Sequence, residues 1–228
     1  MEIVIALLII LVIGLIIATT SGRRVFRLYD KYMQRPTYIN CTGLDFACAV
    51  IKKENLPVKV TIGKGKLCDC YVPSQKILVL SPEVAQNASI ASIGIAMHEL
   101  GHAIQDRDKN FWFMFSNIFR KIAVVLDFLV APLVLAGIVI MIFYPNIFDT
   151  GVWLLIIALG CWVLTFFVKV LLIPVEYGAS RIAYNFLKEN RVLQPKELAH
   201  TKHMLHAAAL TYVGSLFSGL LNLIRRLR

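Results

Sequence analysis

Three long apolar runs constrain the fold of this chain more than any other feature of its sequence. They cover residues 3–18, 128–144 and 152–167, and none of them contains a charged residue. A helix needs about 20 predominantly apolar residues to cross the hydrocarbon core of a bilayer. The whole chain is 58% hydrophobic, above the roughly 45–50% of an ordinary soluble domain. The runs therefore predict a membrane protein with about three transmembrane helices.

The order of charges around the first run indicates a permanent anchor rather than a cleaved leader. A secretory signal peptide carries positive charge before its apolar core, whereas the only charge before this run is Glu2. A basic cluster follows the run instead. We therefore expect an amino-terminal transmembrane anchor over residues 1–22. The other two runs flank the turn-rich residues 145–151, which predicts a transmembrane hairpin over residues 128–168.

The positive charge of the chain is confined to two segments. A formal net charge of +10 could by itself suggest a nucleic-acid partner. However, residues 19–127 hold 15 of the 24 Lys and Arg, and residues 168–228 hold the other 9. Such an excess marks the cytoplasmic side of a membrane protein. We therefore expect a multi-pass plasma-membrane protein with its amino terminus outside and residues 23–127 and 169–228 facing the cytoplasm. The lipid bilayer is then the expected partner, and nucleic acid is not.

The segment His98-Glu99-Leu100-Gly101-His102 carries the strongest indication of chemistry. A helix predicted over residues 89–106 would place the two histidines, four positions apart, on one face. Two imidazoles at this spacing can bind one Zn²⁺, and the glutamate beside them can reach a zinc-activated water without being a ligand. We therefore predict His98 and His102 as zinc ligands and Glu99 as a catalytic base.

A catalytic zinc site needs a third protein ligand and an open position for water. We favour Glu176, which follows the third apolar run and would lie in the first turn of a helix beginning near residue 174. Ser180, one turn later, could then hydrogen-bond a zinc ligand. The alternatives are His200, His203 and His206, which are spaced three apart on a predicted helix.

The remaining pattern predicts a fold that is mainly α with a small antiparallel sheet (α+β). Alternation over residues 57–62 and short runs at 71–72 and 76–80 predict the strands, the last of which could pair with an extended substrate. Thr42 and Ser81 are predicted helix caps. The apolar segment 204–224 precedes three arginines, so we expect a helix packed on the catalytic part or lying in the interface, not a fourth span.

Four of the five cysteines lie in the part predicted to face the cytoplasm, where disulfides do not persist. Cys68 and Cys70 could form half of a thiolate zinc site, but their C-x-C spacing and the absence of a matching nearby pair favour free thiols.

Taken together, these segments resemble the YugP-type neutral zinc metallopeptidases, a family of bacterial membrane proteins. The resemblance covers nearly the whole chain and includes the amino-terminal anchor. The similar motifs are Leu80-Ser81-Pro82-Glu83, His98-Glu99-Leu100-Gly101-His102-Ala103-Ile104-Gln105, Pro174-Val175-Glu176, Ala179-Ser180-Arg181 and Ala207-Ala208-Ala209-Leu210-Thr211-Tyr212-Val213. One departure is Asp69-Cys70-Tyr71-Val72-Pro73, where the family is expected to show Asp-His-Tyr-Asp-Pro.

The resemblance implies a membrane-anchored, gluzincin-like zincin whose ligands are His98, His102 and Glu176, with Glu99 as base. It also implies similarity to membrane proteases of the HtpX and CAAX-prenyl-endopeptidase kind, which place a third-ligand glutamate soon after a transmembrane span. The resemblance thus implies that residues 23–127 contain the helix with His98 and His102, and that residues 169–228 complete the catalytic part.

The predicted activity is zinc-dependent endoproteolysis of membrane or cytoplasm-facing proteins. Glu99 would take a proton from the attacking water and pass it to the leaving amine. The oxyanion would be stabilised by the zinc and by one further donor, for which Arg181, His206 and Tyr212 are the candidates. Two alternatives stay open from the sequence. One is an intramembrane-type metalloprotease, and the other is a non-catalytic membrane adaptor or scaffold with a structural zinc site.

Overall fold

The computed structural model describes residues 26–215, with side chains through residue 207. The predicted anchor over residues 1–22 lies outside the described residues, and so does the end of the predicted helix 204–224. A third transmembrane helix therefore stays a prediction.

The described residues form two compact units. The first comprises residues 26–114 and 174–210 and is called the mixed unit below. The second comprises residues 115–173 and 211–215 and is called the hairpin unit.

The mixed unit contains short helices, a small sheet and the helix that bears His98-Glu99-Leu100-Gly101-His102, called the metal motif below. Its elements in chain order are α1 (residues 26–33), α2 (Gly43–Lys53), β1 (Lys59–Ile62), β2 (Cys70–Val72), β3 (Ile77–Leu80), α3 (Pro82–Gln86) and α4 (Ile90–Arg107). The side chains of Thr42, Ser81 and Ser89 each accept a hydrogen bond from the backbone N–H three residues later. Such caps satisfy N–H groups that a helix leaves unpaired at its start. The predicted caps at Thr42 and Ser81 are thus confirmed.

The sheet has three strands in the order β1-β3-β2 and is mixed. β1 pairs with β3 in parallel, with Lys59 opposite Ile77, and β2 pairs with β3 in antiparallel. The prediction of an antiparallel sheet is wrong for the β1–β3 pair, because the chain passes from β1 to the far side of β3 before turning back. β3 is therefore the central strand, paired on both edges. The prediction that residues 76–80 could pair with an extended substrate is wrong for the same reason.

The core of the mixed unit is built where β3 meets α4. Leu78 and Leu80 alternate with less buried neighbours on β3, as residues of one strand face do. Together with Ile93, Met97 and Leu100 of α4 they have no exposed surface. This packing holds α4, the helix that bears His98 and His102, against the sheet.

Two long helices account for the hairpin. α5 spans Phe111–Phe143, and α6 spans Phe148–Glu189 after a 3₁₀ turn at Pro145–Ile147. Both helices are long and apolar enough to cross a membrane, and only 17% and 28% of their most apolar windows are buried within the protein. Helices whose apolar surface is so little covered by protein are suited to a lipid environment.

α6 runs through Pro174 without interruption, so no new helix begins there. The prediction of a helix start near residue 174 is therefore wrong. Proline removes one backbone donor, but this loss does not end the helix here. One continuous helix thus carries both the third apolar run and Glu176. The last described helix, α7, spans Pro195–Ser215.

Candidate metal centre

Three side chains of the mixed unit converge on one point. Glu176 Oε2 lies 3.4 Å from His98 Nε2 and 3.5 Å from His102 Nε2. One potential ligand atom from each residue lies within 4.8 Å of the other two. Donors bound tetrahedrally at about 2.1 Å from a zinc ion are about 3.4 Å apart. The spacing therefore fits one zinc ion held by two imidazoles and a carboxylate.

The burial of Glu176 is a second observation in favour of a cation. The residue is 2% exposed, and an ionised carboxylate at such depth is stable only when paired, hydrogen-bonded or bound to a metal. Nitrogen and oxygen donors of this kind are typical of a catalytic zinc site.

The second ring nitrogen of each histidine is held by a polar side chain. Ser180 Oγ lies 3.2 Å from Nδ1 of His98, and Gln105 Oε1 lies 3.0 Å from Nδ1 of His102. The Gln105 amide nitrogen donates to the Val175 carbonyl, which leaves its oxygen as acceptor for an Nδ1–H group. This arrangement leaves the His102 Nε2 lone pair free for a metal ion.

Two glycines allow the ligand-bearing helices to approach closely. A Cβ atom on Gly101 of α4 would lie 2.7 Å from the Ala179 carbonyl oxygen. A Cβ atom on Gly178 of α6 would lie 2.6 Å from the Gln105 amide nitrogen. Both distances are shorter than atoms tolerate. Because glycine has no side chain, α4 and α6 can lie close enough for Glu176 to reach His98 and His102.

Glu99 lies beside the donors and is held by the sheet. Its Oε2 accepts a hydrogen bond of 2.9 Å from the backbone N–H of Tyr71 on β2. Burial, with the nearby Glu176 charge adding to it, raises the pKa of Glu99 to about 7. A divalent cation at the neighbouring donors would lower this pKa again. Tyr71 is itself anchored to the end of α4, because its hydroxyl donates to Asp106 at 2.7 Å.

The other candidate residues are not among the three that converge. Arg181 and His206 line a groove between α6 and α7, and Ser180 lines the same groove. His200 stacks on the Tyr32 ring with centroids 5.1 Å apart. In the part of the chain that the structure describes, the potential metal-binding group contains none of the α7 histidines. The Tyr212 side chain lies beyond the described ones. None of the five cysteines forms a disulfide with another described residue.

Sequence reasoning missed Gln105 and Gly178. Gln105 is a polar residue three positions after His102 on the face of α4 that the motif buries, and it is 3% exposed. A polar residue at that position was a usable signal, since buried polar groups are hydrogen-bonded. No local pattern marks Gly178, because its role depends on the partner helix.

Comparison with known proteins agrees with the geometry. A family model described as "Putative neutral zinc metallopeptidase" matches residues 7–228. The chain is 29% identical over 200 residues to the "Putative membrane protease YugP" of Bacillus subtilis (strain 168), which covers 86% of this chain and 84% of that protein. No solved structure matches the chain. The resemblance drawn from the sequence motifs is thus confirmed.

Proposed function

The chain belongs to this family of neutral zinc metallopeptidases, and we propose that it is a membrane-bound, zinc-dependent endopeptidase. The observation that carries the proposal is the convergence of His98, His102 and Glu176 on one point, with Glu99 beside them. Two imidazoles, one carboxylate and a neighbouring glutamate are the parts that zinc-assisted hydrolysis of a peptide bond requires.

The roles of the protein groups follow from their positions. When bound, zinc supplies a Lewis acid and an activated water nucleophile. Glu99 takes a proton from the nucleophile and returns it to the leaving amine, and the Tyr71 N–H fixes its orientation. Ser180 and Gln105 orient the imidazoles of His98 and His102. That Tyr212 donates a hydrogen bond to the oxyanion stays a prediction.

The proposed substrates are membrane proteins or proteins at the cytoplasmic face. The distribution of Lys and Arg supports an orientation with the amino terminus outside and the catalytic part inside the cell. The two apolar helices support attachment to the membrane.

Two other functions are less well supported. An intramembrane protease would carry its motif on an apolar helix, but α4 is not among the described helices that are apolar enough to cross a membrane. A structural zinc site usually closes with four protein ligands. The group found among the described residues has three members, and a scaffold has no use for Glu99.

The test compares three variants of the purified full-length protein in zinc content and casein cleavage. We expect Glu99→Gln to lower cleavage by about 10²- to 10⁴-fold while bound zinc stays at one equivalent. Glu176→Gln should lose the zinc. Glu189→Gln, a control at an exposed position of the same helix, should behave as the wild type. Retained cleavage in Glu99→Gln, or no zinc in the wild type, would refute the proposal.

A further inference from the structure

A groove in the mixed unit lies between α6 and α7 and has a volume of about 590 Å³. This is within the range of pockets that hold small ligands. None of its nine described lining residues is acidic, and three carry a basic side chain: Arg181, Lys202 and His206. The groove therefore combines positive charge with a surface that is otherwise mainly aromatic and apolar.

In the described part of the chain, no carboxylate forms an ion pair with the three basic side chains of the groove. Lys202 lies over the Tyr184 ring at 5.4 Å, and His206 meets the Tyr177 ring edge-to-face at 5.9 Å. Arg181 is exposed and forms no ion pair with a described residue. Residues 208–228 contain no Asp or Glu. The positive charges of the groove therefore favour the binding of an anion.

The position of the groove along α6 indicates where this anion comes from. Residues 152–173 contain one charged residue, Lys169, and would span about 33 Å at 1.5 Å per residue. This length matches the roughly 30 Å hydrocarbon core of a bilayer. The groove begins at Pro174, the next residue. If the apolar part crosses the membrane, residues 174–181 lie at the depth of the lipid headgroups.

We propose that this groove binds an anionic phospholipid. The phosphate is bound by Arg181 and Lys202, because a guanidinium and an ammonium are the side chains that bind phosphate best. The apolar part of the lipid lies against the aromatic rings of Tyr177 and Tyr184. A soluble phosphate compound would use the charges but not the apolar wall, and an acidic peptide would not need the interfacial position. Arg181 and His206 are also the oxyanion-donor candidates from the sequence, and that role stays a prediction beside the one proposed here.

The experiment measures lipid binding to delipidated full-length protein in a neutral detergent, by native mass spectrometry. The probes are dihexanoyl phosphatidylglycerol, dihexanoyl phosphatidylcholine and inorganic phosphate. We expect one saturable site that prefers phosphatidylglycerol over both other probes by at least tenfold. Removing one basic side chain should weaken binding about fivefold, so Arg181→Gln with Lys202→Gln should weaken it about 10- to 30-fold.

Two further double variants make the result specific to the groove. Lys188→Gln with Lys196→Gln removes the same charge from exposed positions of α6 and α7 outside the groove, and should change the affinity less than twofold. Arg181→Lys with Lys202→Arg keeps the charges and should retain binding. If the first double variant does not fold, Lys202→Gln alone, at an exposed position, should still weaken binding about fivefold.

Several results would overturn the proposal. Equal weakening by both charge-removing variants would show diffuse attraction to the whole basic surface. Equal affinity for phosphatidylcholine would show that the charges are not used, and equal affinity for inorganic phosphate would identify a soluble anion as the ligand. If Arg181→Gln with Lys202→Gln left lipid binding unchanged and raised the KM for acidic peptides, the groove would be a substrate subsite. Each outcome is independent of the zinc content, so failure here leaves the proposed protease untouched.

Discussion

Gln105 Oε1 lies 3.0 Å from Nδ1 of His102, and the amide nitrogen of the same side chain donates to the Val175 carbonyl at 3.0 Å. A single amide therefore connects the metal-motif helix to the residue that precedes Glu176. It fixes the ring of one proposed zinc ligand and the position of the helix that carries another.

Gln105→Leu removes both hydrogen bonds while keeping a similar volume. We expect zinc affinity to fall about 10- to 100-fold, because groups that orient a metal ligand have effects of this size. The unfolding free energy of the metal-free protein should fall by about 1–3 kcal/mol, since each of the two bonds contributes about 0.5–1.5 kcal/mol. A chelator competition titration measures the affinity, and Gln86→Leu, at an exposed position, is the control. If both variants lose the same zinc affinity, Gln105 has no orienting role.

Gly101→Ala tests whether the two ligand-bearing helices need their close contact. The added methyl would lie 2.7 Å from the Ala179 carbonyl oxygen, which is backbone and can move only with its helix. Overpacking of this kind costs about 1–3 kcal/mol, more than the roughly 1 kcal/mol that alanine gains over glycine in a helix. We therefore expect a lower melting temperature and at least tenfold weaker zinc binding.

The matched control for this substitution is Gly160→Ala on α6. A Cβ atom there meets nothing within 4 Å among the described atoms, so only the helix propensity changes. Its stability should be unchanged or higher by up to about 1 kcal/mol. A Gly101→Ala protein as stable as this control, with normal zinc affinity, would contradict the role assigned to the helix contact.

The sequence predicted features that depend on residues close together in the chain, and it failed for features that depend on distant ones. The spacing of His98 and His102 and the caps at Thr42 and Ser81 depend on residues three or four positions apart, so local pattern was sufficient. The parallel pairing of β1 with β3 joins residues eighteen positions apart, and the local pattern predicted an antiparallel sheet instead. The continuity of α6 through Pro174 depends on how the whole helix is packed, which a local breaker signal does not report.

Asp69 gives the stability of the protein a pH dependence. Burial raises the pKa of Asp69, although the Ser81 N–H donates to its Oδ1 at 2.7 Å. Its Oδ2 is buried without a hydrogen-bond partner in the described part of the chain. Because the pKa is higher in the folded than in the unfolded state, about 3.9, folding loses stability as the pH rises from that value through the folded pKa.

Asp69→Asn removes the ionisation and keeps an oxygen for the Ser81 N–H. We expect this variant to be more stable than the wild type near pH 7, with the difference closing below about pH 4. Melting temperatures of the metal-free proteins across this range measure it, and Asp30→Asn, at an exposed position, controls for the change in net charge. A difference that does not vary with pH would show that ionisation of Asp69 is not its cause.

Lys169 on α6 and Asp127 on α5 form an ion pair of 2.7 Å within the hairpin unit, and the lysine is 8% exposed. The Asp127 side chain is 23% exposed, so the pair is only partly buried. Removing one partner leaves an uncompensated charge, which costs at most about 3–5 kcal/mol, whereas replacing both with apolar residues is often neutral. Lys169→Leu alone should therefore destabilise the hairpin strongly, and the double variant with Asp127→Leu should regain most of the stability. The measurement is the thermal unfolding of the purified protein in detergent, with Lys121→Leu, at an exposed position of α5, as the control. If the double variant were as unstable as the single one, the two charges would act independently and the pair would not hold the two helices together.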